Sequence, residues 1–285
     1  MPPVSMEHVL RNVPKDRRIR NMKLACQEGL LPGANFAEKV KNAEVLGFEG
    51  IELIGRGLAD RKDEVKAAFA NSPVKPSSIC AGFRGCPLDA NKAERDLAWN
   101  DIKALLRLSG ELGTVGLIMV PIFGPPRIPD LTPFAPPTQL EKDLFVELLK
   151  DAAKVAAEAK TFILVEPLNR YETHLLRKLQ HAVEICERVN HPNVVIMADF
   201  FHMHIEEEDT PAAIKAAGKW IQHVHLADNT RMQPGTGDTD FAAGFAALKK
   251  IKFDKYMALE CGITGPDRAD ALKKCVRYLK KCIKG

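Results

Sequence analysis

The stretch ILVEPLNRYETHLL at residues 163–176 joins a short apolar segment directly to a group of ionisable side chains. Its first three residues are aliphatic and partly β-branched, which is typical of a buried strand. Two acids, an arginine and a histidine follow within the next nine residues. A carboxylate held beside a buried strand without a partner costs on the order of several kcal/mol. The stretch therefore predicts a strand whose end faces a cation or an arginine.

Seven further apolar runs occur along the chain, separated by amphipathic segments with helical spacing. The runs are continuous rather than strictly alternating, which favours parallel strands covered by helices. Eight strand–helix repeats predict a single-domain α/β fold, a closed (β/α)₈ TIM barrel over residues 21–285. A doubly wound open sheet is the alternative, but the segment ACQEGLLPGANF at 25–36 lacks its glycine-rich fingerprint. The predicted strands are 22–27, 50–54, 76–83, 115–123, 161–168, 194–201, 221–228 and 256–261.

The composition excludes several classes of protein. Hydrophobic residues make up 46% of the 285 residues and charged residues 27%, which is ordinary for a globular protein. The formal net charge is only +4 and the basic residues are interleaved with acids, so we expect no nucleic-acid partner. Seven cysteines without a CxxC pair indicate reduced thiols. Because neither a spanning apolar run nor a secretory signal is found, we expect a cytoplasmic protein without a membrane partner, with residues 1–20 as an N-terminal extension.

Ionisable residues fall at the carboxyl ends of the last four predicted strands. Glu166 ends the fifth, Asp199 the sixth and Glu260 the eighth, while the seventh carries His223 and His225. The carboxyl ends of barrel strands converge on one mouth, so these side chains should lie together. Three carboxylates and one imidazole suit Mn²⁺, Co²⁺ or Mg²⁺, whereas a structural zinc site favours thiolates. The sequence therefore predicts one divalent metal ion at the mouth.

Simpler interpretations exist for some of these residues. A single acid at a strand end is commonly a helix N-cap or a salt-bridge partner, but four potential ligands on four consecutive strands are harder to explain in this way. His223 and His225 share one strand face, and we expect His223 to be the satisfied core histidine. The segment PGTGDTDF at 234–241 could hold a phosphate, although a tight turn is the favoured interpretation. The proline-rich segment at 122–139 is too long for a turn and predicts a structured lid loop.

Four segments of the second half resemble the xylose isomerase-like barrel superfamily, and above all its ketose 3-epimerase branch of D-tagatose and D-psicose 3-epimerases. Hydroxypyruvate isomerases are similar in the segment ADN…PGTG at 227–237. The resemblance is strong over residues 163–260 and general in pattern before them. The segments are EPLNRYETHLL at 166–176, DFFHMHIEE at 199–207, HVHLADNTRMQPGTGDTDF at 223–241 and ALEC at 258–261.

The resemblance implies roles for individual residues. It implies metal ligation by Glu166, Asp199, His225 and Glu260. It implies substrate contacts by Glu172, His202, Arg231 and Glu52. It further implies that Glu166 and Glu260 move protons, that Mn²⁺ is the expected metal with Co²⁺ or Mg²⁺ as alternatives, and that the partners are a sugar substrate and a second copy in a homo-oligomer, a dimer or tetramer. The residues after His225 and the loop after the fourth strand depart from the family pattern, and both shape the pocket.

The implied chemistry is proton abstraction next to a carbonyl. A cation on the carbonyl and the adjacent hydroxyl oxygen stabilises the enediolate that forms. Two carboxylates on opposite faces of the sugar allow removal from one side and return on the other. Glu166 and Glu260 stand across the mouth on strands five and eight, so we expect a ketose 3-epimerase. Return of the proton to the neighbouring carbon would give a hydroxypyruvate isomerase-type aldose–ketose isomerisation.

Other functions stay open at this point. A metal-dependent lyase or deglycosidase on 3-keto-glycosides uses the same first step, and the proline-rich loop could cover a bulky aglycone. An apurinic-site endonuclease would need extra histidines for three zinc ions, and none of the eight histidines lies on strands one to four. A sugar-binding barrel without catalysis is the non-enzymatic alternative, and the complete ligand set argues against it.

Overall fold

A computed structural model describes residues 22–284, and the predicted N-terminal extension at 1–20 lies outside them. Eight parallel strands pair in chain order, and β8 pairs with β1, so the sheet closes into a barrel. The predicted (β/α)₈ fold and all eight predicted strands are confirmed. The strands are β1 Lys23–Gln27, β2 Gly50–Ile54, β3 Lys75–Cys80, β4 Gly116–Met119, β5 Phe162–Val165, β6 Val194–Asp199, β7 Ile221–Leu226 and β8 Tyr256–Leu259.

Helices surround the barrel, and their ends are fixed by local sequence signals. Asn35 caps the first helix by accepting a hydrogen bond from the Glu38 amide, and Gly47 ends it with a φ of 89°. Asp209 caps another helix that has proline in its first turn, as its sequence predicts. The α-helices of the described residues are α1 Phe36–Leu46, α2 Lys62–Ala70, α3 Lys92–Leu112, α4 Pro137–Glu158, α5 Leu179–Val189, α6 Phe200–Glu206, α7 Thr210–Ala217, α8 Phe241–Lys250 and α9 Arg268–Lys284. Among the helices of this part of the chain, none combines the length and the apolar character needed to cross a membrane.

Several strands are shorter than their apolar runs predict. The run at 115–123 is a strand only over Gly116–Met119, and the run at 194–201 turns into helix α6 after Asp199. The apolar residues beyond the strand ends are nevertheless buried, since Ile122 is 1% exposed and Phe200 is fully buried. Phe200 stacks on Phe241 of helix α8. These residues are apolar because they pack between loops and helices, so their hydrophobicity alone could not mark where the strand ladder stops.

The barrel interior forms the floor beneath the strand ends. Ile118, Leu164, Val195 and Met197 form a buried cluster separate from the larger apolar layer between strands and helices. Side chains two residues apart on a strand share a face. Leu164 therefore lies on the same side as Glu166, and Met197 on the same side as Asp199. The alternation that fills the barrel with aliphatic side chains thus also directs the carboxylates at its mouth inwards.

Candidate active site

The four predicted cation ligands lie together at the carboxyl ends of their strands. One donor atom from each of Glu166, Asp199, His225 and Glu260 lies within 4.8 Å of the other three. His225 Nδ1 is central to the group, at 2.9 Å from a Glu260 oxygen and 3.7 Å from an oxygen of both Glu166 and Asp199. The closed barrel brings β5, β6, β7 and β8 side by side, which places donors separated by up to 94 positions in sequence numbering (166 to 260) in one cluster.

Backbone pairing fixes where each carboxylate stands. The Glu166 amide donates to the Met119 carbonyl, and the Glu260 amide donates to the Leu226 carbonyl, so both residues extend the strand ladder by one bond. Asp199 is both a helix N-cap and a member of the cluster. Its Oδ1 accepts a hydrogen bond from the Phe201 amide at 2.8 Å, while its Oδ2 faces His225 and Arg231. The simple N-cap interpretation and the site interpretation therefore apply to different oxygens of one carboxylate.

Burial and charge act in opposite directions on these acids. Burial raises the pKa of the Glu166 carboxyl above its ordinary value, although the imidazole of His225 opposes that rise. Burial also disfavours the charged form of Asp199, yet Arg231, His202 and His225 together outweigh it and hold the Asp199 pKa well below its usual range. The pKa of Glu260 is lowered because His225 and Arg231 more than offset its burial. The two glutamates of the cluster are thus shifted in opposite directions.

Arg231 supplies positive charge to the cluster. Its Nη1 donates to Asp199 Oδ2 at 2.6 Å, and its Nη2 is ion-paired with Glu260 Oε2. The guanidinium also lies 4.7 Å from the centre of the Phe201 ring, a cation–π distance. Arg231 has a φ of 59°, a conformation that non-glycine residues adopt infrequently. The backbone bends there so that the side chain returns over the mouth, onto the carboxylates of the predicted ligand set.

The donor set fits a hard or borderline divalent cation. Two carboxylates and one imidazole of the group are almost fully buried, and the Glu260 side chain is 24% exposed towards the mouth. Within residues 22–284, His225 Nδ1 is a buried ring nitrogen without a hydrogen bond of acceptable geometry. A neutral imidazole that is tethered through its other nitrogen is the usual form of a metal-bound histidine. Three carboxylates around such a nitrogen match the oxygen-rich sets preferred by Mg²⁺ and Mn²⁺.

His202 presents a proton to the cluster. Its Nδ1 accepts hydrogen bonds from the backbone amide and the side-chain amide of Asn169, at 3.2 and 2.8 Å. Nε2 must then carry the proton in the neutral ring. That nitrogen lies 3.7 Å from Asp199 and 4.0 Å from Glu166, so its N–H points into the mouth. The Asn169 amide also donates to Glu172 at 2.8 Å, which holds that half-exposed carboxylate at the rim.

The remaining ionisable residues of the 163–176 stretch anchor its loop. The Arg170 guanidinium pairs with buried Glu206 of helix α6 at 2.7 Å. The Nε2 atom of His174 lies 2.5 Å from a carboxylate oxygen of Glu141. The Nδ1 atom of His174 donates to the Gly124 carbonyl at 2.7 Å. Glu141 also accepts from the Arg127 amide of the proline-rich loop. Some of the ionisable side chains after β5 thus belong to the cluster, and the others anchor the loop. The proline-rich loop is held by specific polar contacts.

Glu52, for which the resemblance implies a substrate contact, lies beneath the cluster and contacts two histidines. Glu52 is fully buried on β2, below the mouth. Its oxygens contact His223 Nε2 at 2.8 Å and His225 Nε2 at 3.0 Å. Burial alone would raise the pKa of Glu52, but these imidazoles hold it well below its ordinary value. His223 is fully buried, as predicted for a core histidine, but only its Nε2 is hydrogen-bonded, and among the described residues its Nδ1 has no hydrogen-bond partner. Glu52 therefore contacts the cluster from beneath, through the ring of His225.

Two residues that sequence reasoning missed also contact the cluster. Gln27 at the end of β1 donates through Nε2 to Glu52 at 3.0 Å and to Glu260 at 2.8 Å. Cys80 at the end of β3 directs its thiol to Glu260 at 3.8 Å, and burial raises its pKa well above the ordinary value. Both are strand-end residues, so the rule that identified Glu166 could have found them. The sequence prediction did not include them because it considered only acidic and histidine side chains at the strand ends.

The glycine-rich segment at 234–241 is not available for a phosphate. Asp228 Oδ2 accepts hydrogen bonds from the amides of Gly235, Thr236 and Gly237 at 2.9 to 3.1 Å. Its Oδ1 accepts from the amides of Asn229 and Thr239 at 3.0 and 3.1 Å. Five amides already surround one carboxylate, so the favoured turn interpretation is the correct one. The carboxylate of Asp228 thus occupies the place in the loop after β7 that a bound phosphate would need.

Comparison with known proteins agrees with this architecture. The family model described as Xylose isomerase-like TIM barrel matches residues 40–282. A 3-dehydro-D-guloside 4-epimerase of Escherichia coli (strain K12) is 31% identical over 263 residues, which cover 92% of this chain and 100% of that enzyme. A D-psicose 3-epimerase of Agrobacterium fabrum is 32% identical over 233 residues, which cover 80% of this chain and 79% of that enzyme.

A solved structure shows the same overall arrangement. The crystal structure of a 3-keto-D-glucoside 4-epimerase from E. coli aligns with a TM-score of 0.84 at 30% sequence identity, and the alignment covers 92% of this chain and 100% of the other. The similarity therefore includes the complete barrel with its mouth.

Proposed function

This chain belongs to the xylose isomerase-like TIM barrel family, and we propose on that basis that it is a divalent-metal-dependent sugar epimerase. The reaction is inversion of a carbon next to the ketone carbonyl of a keto sugar. The observation that supports it most directly is the buried cluster of Glu166, Asp199, His225 and Glu260, whose donor atoms lie within 4.8 Å of one another. Its relatives are named for the same type of chemistry, since both a 4-epimerase and a 3-epimerase align over most of the chain.

The cluster combines a cation site with two candidate proton-transfer groups. A divalent cation held by the four residues would polarise the substrate carbonyl and make the neighbouring C–H more acidic. Mn²⁺ is the metal we propose, with Co²⁺ or Mg²⁺ as alternatives, because oxygen donors dominate the set. Glu166 and Glu260 directly follow β5 and β8, so their carboxylates can address opposite faces of a sugar at the mouth. One carboxylate accepts the proton from carbon, and the other, in its acid form, returns a proton to the opposite face.

Neighbouring side chains hold the substrate oxygens. His202 would donate its Nε2–H to a hydroxyl or carbonyl oxygen, since its Nδ1 is occupied by Asn169. Glu172 at the rim would accept from a sugar hydroxyl. Arg231 would donate to an oxygen of the sugar, and its contact with Asp199 and Glu260 means that it also tunes the charge of the site.

Two substrate classes fit this chemistry. A free ketohexose inverted at C3 is the expectation from the sequence resemblance. A 3-keto-glycoside inverted at C4 is the second candidate, and the full-length match to a 4-epimerase of a 3-dehydro-glycoside favours it. Both place the ketone next to the inverted carbon, so the same residues would act. The long loop between β4 and α4 exposes Phe123 and Phe134, 58% and 83% exposed, which leaves apolar surface for an aglycone.

Epimerisation in D₂O tests the reaction. The purified protein, supplied with Mn²⁺, is incubated with D-fructose, D-psicose or D-tagatose and separately with 3-keto-glucosides, and the products are analysed by NMR. We expect a new epimer that carries one solvent deuterium at the inverted carbon. Glu166→Gln and Glu260→Gln are each expected to lower kcat by at least about 10³-fold, because general acid–base groups commonly contribute 10²–10⁴-fold.

A matched control separates these effects from lost stability. Glu28 is a buried carboxylate at the end of β1 that pairs with Arg61 away from the cluster, so Glu28→Gln should retain turnover. Full activity of either active-site variant, or an inverted product without deuterium, would refute the mechanism. Cytoplasmic location and a homodimeric or homotetrameric assembly stay predictions, which cell fractionation and light scattering would test.

A further inference from the structure

Glu52 joins two histidines and two neutral donors beneath the mouth. Its Oε1 contacts Gln27 Nε2 and His225 Nε2, both at 3.0 Å. Its Oε2 contacts Ser78 Oγ at 2.7 Å and His223 Nε2 at 2.8 Å. The residue is fully buried, and a buried carboxylate surrounded by four donor groups acts only as an acceptor. No oxygen of Glu52 is left to contact a sugar.

The acceptor role of Glu52 decides the orientation of His225. Because Nε2 of His225 faces a carboxylate, the ring carries a proton on that nitrogen. When the ring binds a cation it is neutral, and its lone pair is then on Nδ1. Nδ1 is the atom that lies 2.9 Å from Glu260 and 3.7 Å from Asp199 and from Glu166. The contact with Glu52 therefore turns the ligating nitrogen of His225 towards the three carboxylates.

Gln27 extends this support to the proposed proton-transfer group on β8. Its single amide nitrogen donates to Glu52 Oε1 at 3.0 Å and to Glu260 Oε1 at 2.8 Å. Both hydrogens of the amide are thus used. Since Oε1 of Glu260 is held by Gln27, Oε2 is the oxygen that faces His225 and Arg231. Residues on β1, β2, β7 and β8 are joined in this way into one network.

We propose that Glu52 is a positioning residue that fixes the tautomer and the orientation of His225 for metal binding, and that Gln27 links it to Glu260 and selects the oxygen of that carboxylate which faces His225 and Arg231. This inference rests on the proposed metal-dependent function. Outer carboxylates that hold metal-ligating histidines commonly alter metal affinity by about 10- to 100-fold when they are replaced.

Cobalt binding to Glu52→Gln tests the role of Glu52. Chelator-dialysed wild type, Glu52→Gln and Glu28→Gln are titrated with CoCl₂ by calorimetry, and the visible absorption of the Co²⁺-loaded proteins is recorded. We expect Glu52→Gln to bind Co²⁺ about 10- to 100-fold more weakly and to show a changed absorption band. Glu28→Gln should lower the thermal midpoint but keep the wild-type affinity and spectrum, because Glu28 contacts Arg61 and the Ile54 amide instead of the cluster.

Steady-state kinetics give a second readout. With Co²⁺ at saturating concentration, Glu52→Gln is expected to lower kcat while KM for the sugar stays within about threefold of wild type, because the carboxylate does not touch the substrate. Gln27→Met removes the link to Glu260 and leaves the Glu52–His225 contact in place. Gln27→Met should lower kcat by about 10- to 100-fold, since small displacements of a reacting group have effects of this size. This variant still tests the network if Glu52→Gln does not fold.

The outcomes separate this inference from the proposed function. If wild type itself binds no Co²⁺ and turns over no keto sugar, the proposed function is wrong and the positioning role falls with it. If wild type binds and reacts, yet Glu52→Gln shows the same affinity and the same spectrum, only the positioning role of Glu52 is wrong. An unchanged kcat in Gln27→Met would likewise remove Gln27 from the network.

Discussion

Replacing Asp228 with asparagine should destabilise the barrel strongly, although the two side chains have nearly the same shape. Asp228 is fully buried and accepts five backbone amides, three on Oδ2 and two on Oδ1. An asparagine keeps one oxygen, which can satisfy the three amides of residues 235–237. Its NH₂ group then faces two N–H donors, at Asn229 and Thr239, and can accept from neither.

The expected cost follows from those two lost acceptors. A buried donor without a partner costs about 1–3 kcal/mol, so two of them cost roughly 4 kcal/mol. For a domain of this size each kcal/mol shifts the thermal midpoint by about 2–4 °C, which gives a decrease of roughly 8–16 °C. Asp240→Asn is the matched control. Asp240 is an exposed N-cap whose side chain accepts the Ala243 amide, and asparagine caps helices about as well as aspartate.

The assay is thermal unfolding followed by far-UV circular dichroism, with urea unfolding as a check on the free energy. Asp228→Asn should melt well below wild type, and Asp240→Asn within about 2 °C of it, corresponding to less than about 1 kcal/mol. A midpoint of Asp228→Asn equal to that of the control would refute the account, because the five amides would then not depend on a carboxylate.

The stability difference between wild type and Asp228→Asn should also depend on pH. Burial would raise the pKa of Asp228, but the amides of Thr239, Gly237 and their neighbours bring it below its ordinary value. A carboxyl whose folded-state pKa is depressed contributes its full stabilisation above the unfolded pKa of about 3.9 and loses it as pH falls through the lower folded value. The difference between wild type and Asp228→Asn should therefore stay constant from pH 8 to about pH 5 and narrow in more acidic solution.

Three further predictions concern the metal site and the packing. Arg231→Met should lower the free energy of unfolding of chelator-treated protein by about 3–5 kcal/mol, because Asp199 and Glu260 lose their guanidinium partner. Added Mn²⁺ should restore much of the lost stability in thermal melts. An equal loss of stability with and without the metal would contradict this prediction. Prolonged dialysis against a chelator should abolish epimerase activity and Mn²⁺ should restore it, whereas unchanged rates in metal-free protein, verified by elemental analysis, would argue against a metal-dependent reaction. Gly244→Ala should cost about 1–3 kcal/mol in urea unfolding, because its Cβ would lie 2.3 Å from the buried Phe200 ring, while Gly29→Ala, with no atom within 4 Å, should be neutral.

The strand positions and the identity of the cluster were predictable because both follow from local rules. Apolar runs of strand length alternate with helical segments, and that alternation predicts a parallel sheet covered by helices. The eight repeats and the missing glycine-rich fingerprint favoured the closed barrel over an open sheet. Once the barrel is assumed, parallel strands must direct their carboxyl ends to one mouth, and Glu166, Asp199, His225 and Glu260 occupy those ends. The cluster that the structure forms from them required no information beyond the order of the strands.

The partners of each polar side chain were not predictable, because they come from other strands. The resemblance implies a substrate contact for Glu52, but it says nothing of the contacts with His223 and His225, which lie more than 170 residues away in sequence. Gln27 was missed because its two acceptors lie on β2 and β8, which become its neighbours only when the barrel closes. The sequence by itself determined which side chains stand at the mouth, since that depends on strand polarity and alternation. Only the tertiary structure decided which of them contact one another and which oxygen or nitrogen each presents, since hydrogen-bond partners depend on distances across the closed sheet.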